Sequence, residues 1–142
     1  MALDIETVGL SILHKIDPEL SHKIALWYLR YGVAPKTKIP NYPRLNTSIA
    51  GIKIQNPIGL AAGFDKNAFV LPAIANMGFG FAEVGAVTPK PQKGNKKPRL
   101  FRIKDEQAII NHLGFNNDGM IKINKRLSNY GGECVLGINI GA

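Results

Sequence analysis

Three short runs of small and branched apolar residues constrain the fold of this chain more than anything else in it. They occupy residues 57–62, 79–87 and 134–140, and each stops at a turn signal: Gly63, Thr88-Pro89 and Gly141. Runs with no polar alternation suit strands buried on both faces. Between them lie two segments of helical spacing. Residues 67–77 carry Val70, Leu71, Ile74 and Met77 on one side and end at Gly78. Residues 118–127 carry Met120, Ile121, Ile123 and Leu127. Strand–helix–strand–helix–strand predicts an α/β fold with a parallel sheet and right-handed crossovers. Ligands then belong at the C-terminal strand ends, in an open sheet and in a (β/α)8 barrel alike. Periodicity does not choose between those two architectures. A dinucleotide-binding G-x-G-x-x-G is missing, because Gly59-Leu60-Ala61-Ala62-Gly63 has the wrong spacing.

Ahead of the first run, residues 1–33 read as two amphipathic helices. Ile5, Val8, Ile12 and Ile16 form one apolar stripe, and Leu20, Ile24, Trp27 and Tyr31 form another. Asp17 is placed to cap the second helix, Pro18 suits its first turn, and Gly32 closes it. Such a pair either packs on its own core, the commoner arrangement, or lays its apolar faces on a membrane surface. Residues 34–48 read as a linker, and residues 48–55 as a short hairpin with Ile52 and Ile54 on one face.

The 142 residues are 45% hydrophobic and 20% charged, the balance of a globular domain with a real core. No segment approaches the ~20 apolar residues of a membrane-spanning helix. Asp4 and Glu6 stand where a secretory signal would carry positive charge. A single cysteine, Cys134, excludes an internal disulfide and reads as a buried strand residue. Net charge is +8, concentrated in Lys90, Lys93, Lys96, Lys97, Arg99, Arg102 and Lys104 with no acid among them. A solvated basic loop or an anionic partner both account for that run. A nucleic-acid module is disfavoured, since Phe101 is the one aromatic interleaved with the charges. Pro89, Pro91, Pro98 and Gly94-Asn95 make this stretch a loop long enough to serve as a lid. Residues 100–103 then look like a short strand returning across the site.

Candidate chemistry collects at the strand ends. Gly63 lets a flat ring approach the backbone, and Lys66 offers a cation to a carboxylate or an electron-rich ring. Asp65 and Lys66 alternatively pair with each other, or Asp65 caps the next helix. Residues 111–117 supply three amides, Gly114 and Phe115, which suit a planar ligand edged by N–H and C=O groups, or equally an amide-rich turn before the next helix.

Taken together, residues 56–67, 85–102 and 111–117 resemble the class 2, quinone-linked dihydroorotate dehydrogenases, and the likeness extends over nearly the whole chain. The resemblance implies the N-terminal part of an FMN-binding (β/α)8 barrel over residues 49–142, ending after its third strand. It makes residues 1–33 a membrane-associating helical pair that forms a quinone tunnel. FMN contacts fall on Ala62, Gly63, Phe64, Asp65, Lys66, Ala86 and Asn139. Dihydroorotate contacts fall on Lys66, Asn111, His112, Leu113, Gly114 and Phe115, and the polar inner end of the tunnel on His22 and Arg102. The implied reaction is oxidation of dihydroorotate to orotate in pyrimidine synthesis, with a quinone as acceptor. It takes place peripherally on the cytoplasmic face of a bacterial inner membrane, with no metal and no nucleic acid. Three positions depart from the family pattern: Ala86 offers only backbone where relatives carry a hydroxyl, Phe64 is larger than expected, and His112 replaces a basic residue. The catalytic base, a serine in this class, is expected on a loop beyond Ala142. The 142-residue chain is therefore expected to be inactive and to hold FMN poorly, with a non-catalytic remnant needing a complementary piece as the alternative.

Overall fold

The computed structural model describes residues 5–32, 42–132 and 134–141. Two helices in contact, α1 (Ile5–Lys15) and α2 (Pro18–Arg30), precede an α/β unit. As the spacing predicts, the Asp17 carboxylate accepts from the Leu20 N–H at 2.8 Å with Pro18 in the first turn. Gly32, at φ +67°, follows the last turn.

Most of the linker range, residues 34–41, lies outside the described residues. The hairpin read over residues 48–55 is present as β1 (Thr47–Ile49) and β2 (Ile52–Ile54), and Thr47, read as linker, already belongs to it. Ala50 and Gly51 both adopt positive φ, the requirement of a two-residue turn matched to strand twist.

The remaining elements are β3 (Gly59–Leu60), α3 (Leu71–Ala75), β4 (Phe81–Val87), β5 (Leu100–Ile103), β6 (Ala108–Asn111), α4 (Met120–Ser128) and β7 (Val135–Ile140). Strands β3, β4 and β7 form a parallel sheet in that order, as the alternation predicts. Several expectations need correction. The first run pairs over two residues only and is half-buried rather than buried. Pro57 has no N–H, and the Asn56 side chain takes the Ile58 N–H and donates to the Gly78 carbonyl, so the start of the strand is diverted into a turn. The first helix begins four residues late. Residues 67–70 wrap around the fully buried Asp65 carboxylate, which accepts from the Asn67, Phe69 and Val70 N–H groups. Strand β7 is exposed toward its end, with Ile138 and Ile140 facing outward, and Cys134 is half-buried.

The core has two adjoining parts. Ala68, Leu71, Val84, Val87 and Ile123 bring α3, β4 and α4 together. Val70, Ile74 and Ala82 pack with Leu26 and Leu29 of α2. Helix α2 thus docks through a stripe that includes Leu26 and Leu29, while Leu20, Ile24, Trp27 and Tyr31 point to solvent, Trp27 with 61% of its surface exposed. The helix carries two apolar stripes, and the sheet decides which one is covered.

The basic loop leads into an antiparallel hairpin of β5 and β6, whose second strand carries no clear signal in the sequence. Arg102 on β5 binds the end of α1: its guanidinium donates to the Leu13, His14 and Ile16 carbonyls at 3.0, 3.3 and 2.7 Å, and to Ser21 Oγ at 3.0 Å. A cation on the free carbonyls of a helix C-terminus satisfies orphan acceptors and complements the dipole. This contact seats the helical pair against the hairpin.

Candidate active site

A cavity of about 860 Å3 opens at the C-terminal ends of the parallel strands. Its floor is the ends of β3, β4 and β7, represented by Ala62, Gly63, Phe64, Gly85, Ala86 and Asn139. One wall is α1 and α2, and the other is the hairpin with residues 111–115. Gly85 is required where it stands: it has φ +114°, and a Cβ there would run into the Asn139 carbonyl. The register of β4 against β7 shifts between Val84 and Val87, a local irregularity that turns Gly85 and Ala86 toward the cavity.

Gly63 meets the opposite condition. At φ +109° it has no atom within 4 Å of the place its Cβ would take, so the space above it is open. Lys66 Nζ donates to the Gly63 carbonyl at the edge of that space. Burial holds the Lys66 pKa below the ordinary lysine value, the nearby Arg99 charge lowers it further, and Glu19 opposes both. A half-buried ammonium with one carbonyl partner is poised to take a carboxylate.

His22 stands on the helical wall. Its Nε2 lies 2.8 Å from the Phe64 carbonyl, which can only accept, so that nitrogen carries the proton. The two rings meet edge to face at 5.2 Å. Burial pushes the His22 pKa below its usual value, and the hydrogen bond to Phe64 works against this. The neutral ring then presents Nδ1 as an acceptor. On the opposite wall, Asn111, His112, Leu113, Gly114 and Phe115 follow one another, with His112 stacked on Phe101 at 5.7 Å.

Of the site residues read from sequence, the cavity brings together Ala62, Gly63, Phe64, Lys66, Ala86, Asn139, Asn111, His112, Leu113, Gly114, Phe115, His22 and Arg102. Asp65 is not among them. Its carboxylate faces inward onto backbone N–H groups, as a cap and not as a partner of Lys66. Sequence reasoning missed Ser21 and Asn95, which also line the cavity, and the buried Arg99 just behind it. The sole local signal for Arg99 was its place in the basic run. Asn117, read either as a ligand-facing amide or as part of a turn before the next helix, takes the second role: it is buried, donates to Thr88 Oγ1 at 2.8 Å and accepts from the Gly119 N–H at 2.8 Å.

An open glycine floor, amides on two sides and one half-buried ammonium leave room for a flat group against the backbone and a cation to meet an anion. That combination defines a class: an α/β protein whose candidate site lies at the C-terminal ends of its parallel strands. Comparison with known proteins narrows it. A family model described as dihydroorotate dehydrogenase matches residues 44–142. The dihydroorotate dehydrogenase (quinone) of Cereibacter sphaeroides is 48% identical over 139 residues, covering 97% of this chain and 39% of that protein. Its counterpart in Bartonella tribocorum is 52% identical over 135 residues, covering 95% and 37%. The crystal structure of the Eimeria tenella DHODH in complex with ferulenol superposes with a TM-score of 0.81 at 45% identity, covering 88% of this chain and 36% of that one. The chain belongs to the dihydroorotate dehydrogenase family, and it spans about two-fifths of the length of the curated relatives it matches.

Proposed function

We propose that this chain forms the dihydroorotate- and flavin-facing part of a quinone-dependent dihydroorotate dehydrogenase, which oxidises dihydroorotate to orotate in pyrimidine synthesis. The observation that carries this reading is the convergence of Gly63, Lys66, Ala86, Asn111 and Asn139 on one cavity, in a chain whose relatives bear that name. In this reading residues 49–142 are the first part of a (β/α)8 barrel, residues 34–48 a connection, and residues 1–33 the helical pair on the quinone side.

FMN, when bound, supplies the two-electron acceptor that takes the substrate hydride and passes electrons to the quinone. Ala62, Gly63, the Phe64 backbone, Ala86 and Asn139 are the residues to hold it, with Ala86 contributing backbone alone. Lys66 binds the substrate carboxylate and balances its charge. Asn111 orients the pyrimidine edge through its amide, and Leu113, Gly114 and Phe115 close over the ring. Holding the substrate in one pose converts the chemical step into an intramolecular one. His22 and Arg102 line the polar end of the quinone path, the Arg102 guanidinium being anchored on α1. The exposed stripe of Leu20, Ile24, Trp27 and Tyr31 supports peripheral seating on a membrane, with the quinone entering between the helices. No described helix is long and apolar enough to cross a membrane. We assign the protein to the cytoplasmic face of a bacterial inner membrane.

The test is a chimera of residues 1–142 with the remaining part of the Cereibacter sphaeroides enzyme, assayed for dihydroorotate-dependent reduction of a soluble quinone. We expect turnover from the chimera and none from the 142 residues alone. Replacing Lys66 with Met in the chimera should raise KM for dihydroorotate at least tenfold. A folded, flavin-loaded chimera without turnover, or a Lys66→Met variant with unchanged KM, would overturn the reading.

A further inference from the structure

The basic loop carries one residue that does not behave as a surface charge. Arg99 is 6% exposed, and Glu19 on α2, its partner across 80 positions of sequence, is 8% exposed. Arg99 Nε and Nη2 donate to the two Glu19 carboxylate oxygens at 3.1 and 2.8 Å, a two-pronged ion pair. The remaining nitrogen, Nη1, donates to the Lys93 and Asn95 carbonyls at 2.6 and 3.0 Å and reaches the Leu113 carbonyl at 3.5 Å.

Those carbonyls belong to the loop and to the segment on the substrate side of the cavity. The two are laced together. Asn95 N–H donates to the Leu113 carbonyl at 3.1 Å, Asn95 Nδ2 to the His112 carbonyl at 2.6 Å, and His112 N–H to the Arg99 carbonyl at 3.1 Å. Gly94 and Gly114 make the lacing possible: a Cβ on Gly94 would strike the Leu113 carbonyl, and one on Gly114 would strike Asn95. Residues 111–115 therefore rest on residues 93–99, and these are clamped to α2 through Arg99.

A buried ion pair is a poor source of net stability, because desolvating two charges offsets most of their attraction. What such a pair secures is geometry, and here the geometry is that of the segment bearing Asn111 and Phe115. The pair also bears on the charge of Lys66: after burial, the Arg99 charge lowers the Lys66 pKa and the Glu19 carboxylate raises it. Lys97, 3.4 Å from the same carboxylate but largely exposed, is an accessory to the pair.

We propose that Glu19 and Arg99 are positioning residues for dihydroorotate: the pair fastens residues 111–115 to α2, so that the substrate side of the cavity takes its shape from that helix, whose own seating rests on Leu26, Leu29 and the Arg102 contacts. The proposal rests on the dehydrogenase reading for the identity of the ligand, while the mechanical coupling does not. Its direct consequence is that a change on α2, outside the substrate cavity wall formed by residues 111–115, alters those residues.

Two measurements test it. Hydrogen–deuterium exchange on the 142-residue chain compares wild type with Glu19→Gln and with Arg99→Lys, which keeps the charge but lacks the fork. We expect amides of residues 93–99 and 111–115 to exchange at least tenfold faster in both variants, with β4 and α4 unchanged. Glu19→Asp should restore part of the protection. If Glu19→Gln does not fold, Arg99→Lys and Glu19→Asp are read in the same way. Unchanged exchange in residues 111–115, or acceleration spread equally over β4 and α4, would overturn the coupling. The second measurement is the KM of the chimera, in which Arg99→Lys should raise KM for dihydroorotate at least tenfold and leave KM for the quinone within twofold. A parallel rise in both, or in neither, would overturn the positioning role. A wild-type chimera without activity would count against the dehydrogenase reading alone, and the exchange pattern would still decide the coupling.

Discussion

Two carboxylates are buried among the described residues, and they are used in opposite ways. Asp65 serves the backbone: its oxygens accept three N–H groups and set the entry to α3. Glu19 serves the site through Arg99, whose hydrogen bonds, helped by its charge and by Lys97, hold the Glu19 pKa at about 2 against the opposing effect of burial. The folded value lies below the usual 4.5, so the stabilisation is present above pH 4.5 and is lost as the pH falls through the window toward 2. Denaturant midpoints measured across that range should fall more steeply in wild type than in Glu19→Gln. Equal slopes would assign the acid loss to other carboxylates. That Lys66 and Asn111 line the cavity was legible from sequence, because each stands at a strand end or in an amide cluster. The Glu19–Arg99 pair was not, because its partners come from distant parts of the chain and no local pattern joins them.

At the scale of elements, capping and turn chemistry was readable and docking was not. Asp17, Pro18 and Gly32 announce α2, yet the helix covers Leu26 and Leu29 and leaves the Leu20, Ile24, Trp27 and Tyr31 stripe in solvent. Two stripes on one helix are equivalent until a partner surface exists. The first strand and helix came out shorter than their patterns for a local reason, since Asn56 and Asp65 compete for the backbone N–H groups those elements would use. Arg102 joins α1 to the hairpin, and its removal has a specific consequence. Arg102→Ala should destabilise by about 1–2 kcal/mol, the range for losing charged hydrogen bonds at a partly exposed helix end. The loss should appear as faster amide exchange in residues 8–16 with β4 unaffected. Uniform acceleration across the protein would mean the contact supports the whole fold instead of seating α1.

At the largest scale, the described residues form a helical pair on an α/β unit. Strand β7 lies at one edge of its sheet, and beside it Met120, Ile121, Ile138 and Ile140 line an apolar groove, Ile140 with 82% of its surface exposed. An unpaired edge next to exposed apolar residues promotes association between chains. The 142-residue chain should therefore self-associate with rising concentration, and Ile140→Lys should shift sedimentation toward monomer; indifference to the substitution would place the contact elsewhere. Hydrophobic period, glycine and proline placement and capping residues act over a few neighbours, so the chain alone determined its α/β order, its parallel strands, its helical pair and the strand ends where the cavity opens. The family, too, was legible in residues 56–117. Only the tertiary structure decided which stripe of α2 is covered, that Asp65 turns away from the cavity, and that Arg99 is buried against Glu19. Each of those depends on the desolvation and packing of groups far apart along the chain, which have no energy of interaction until the fold brings them together.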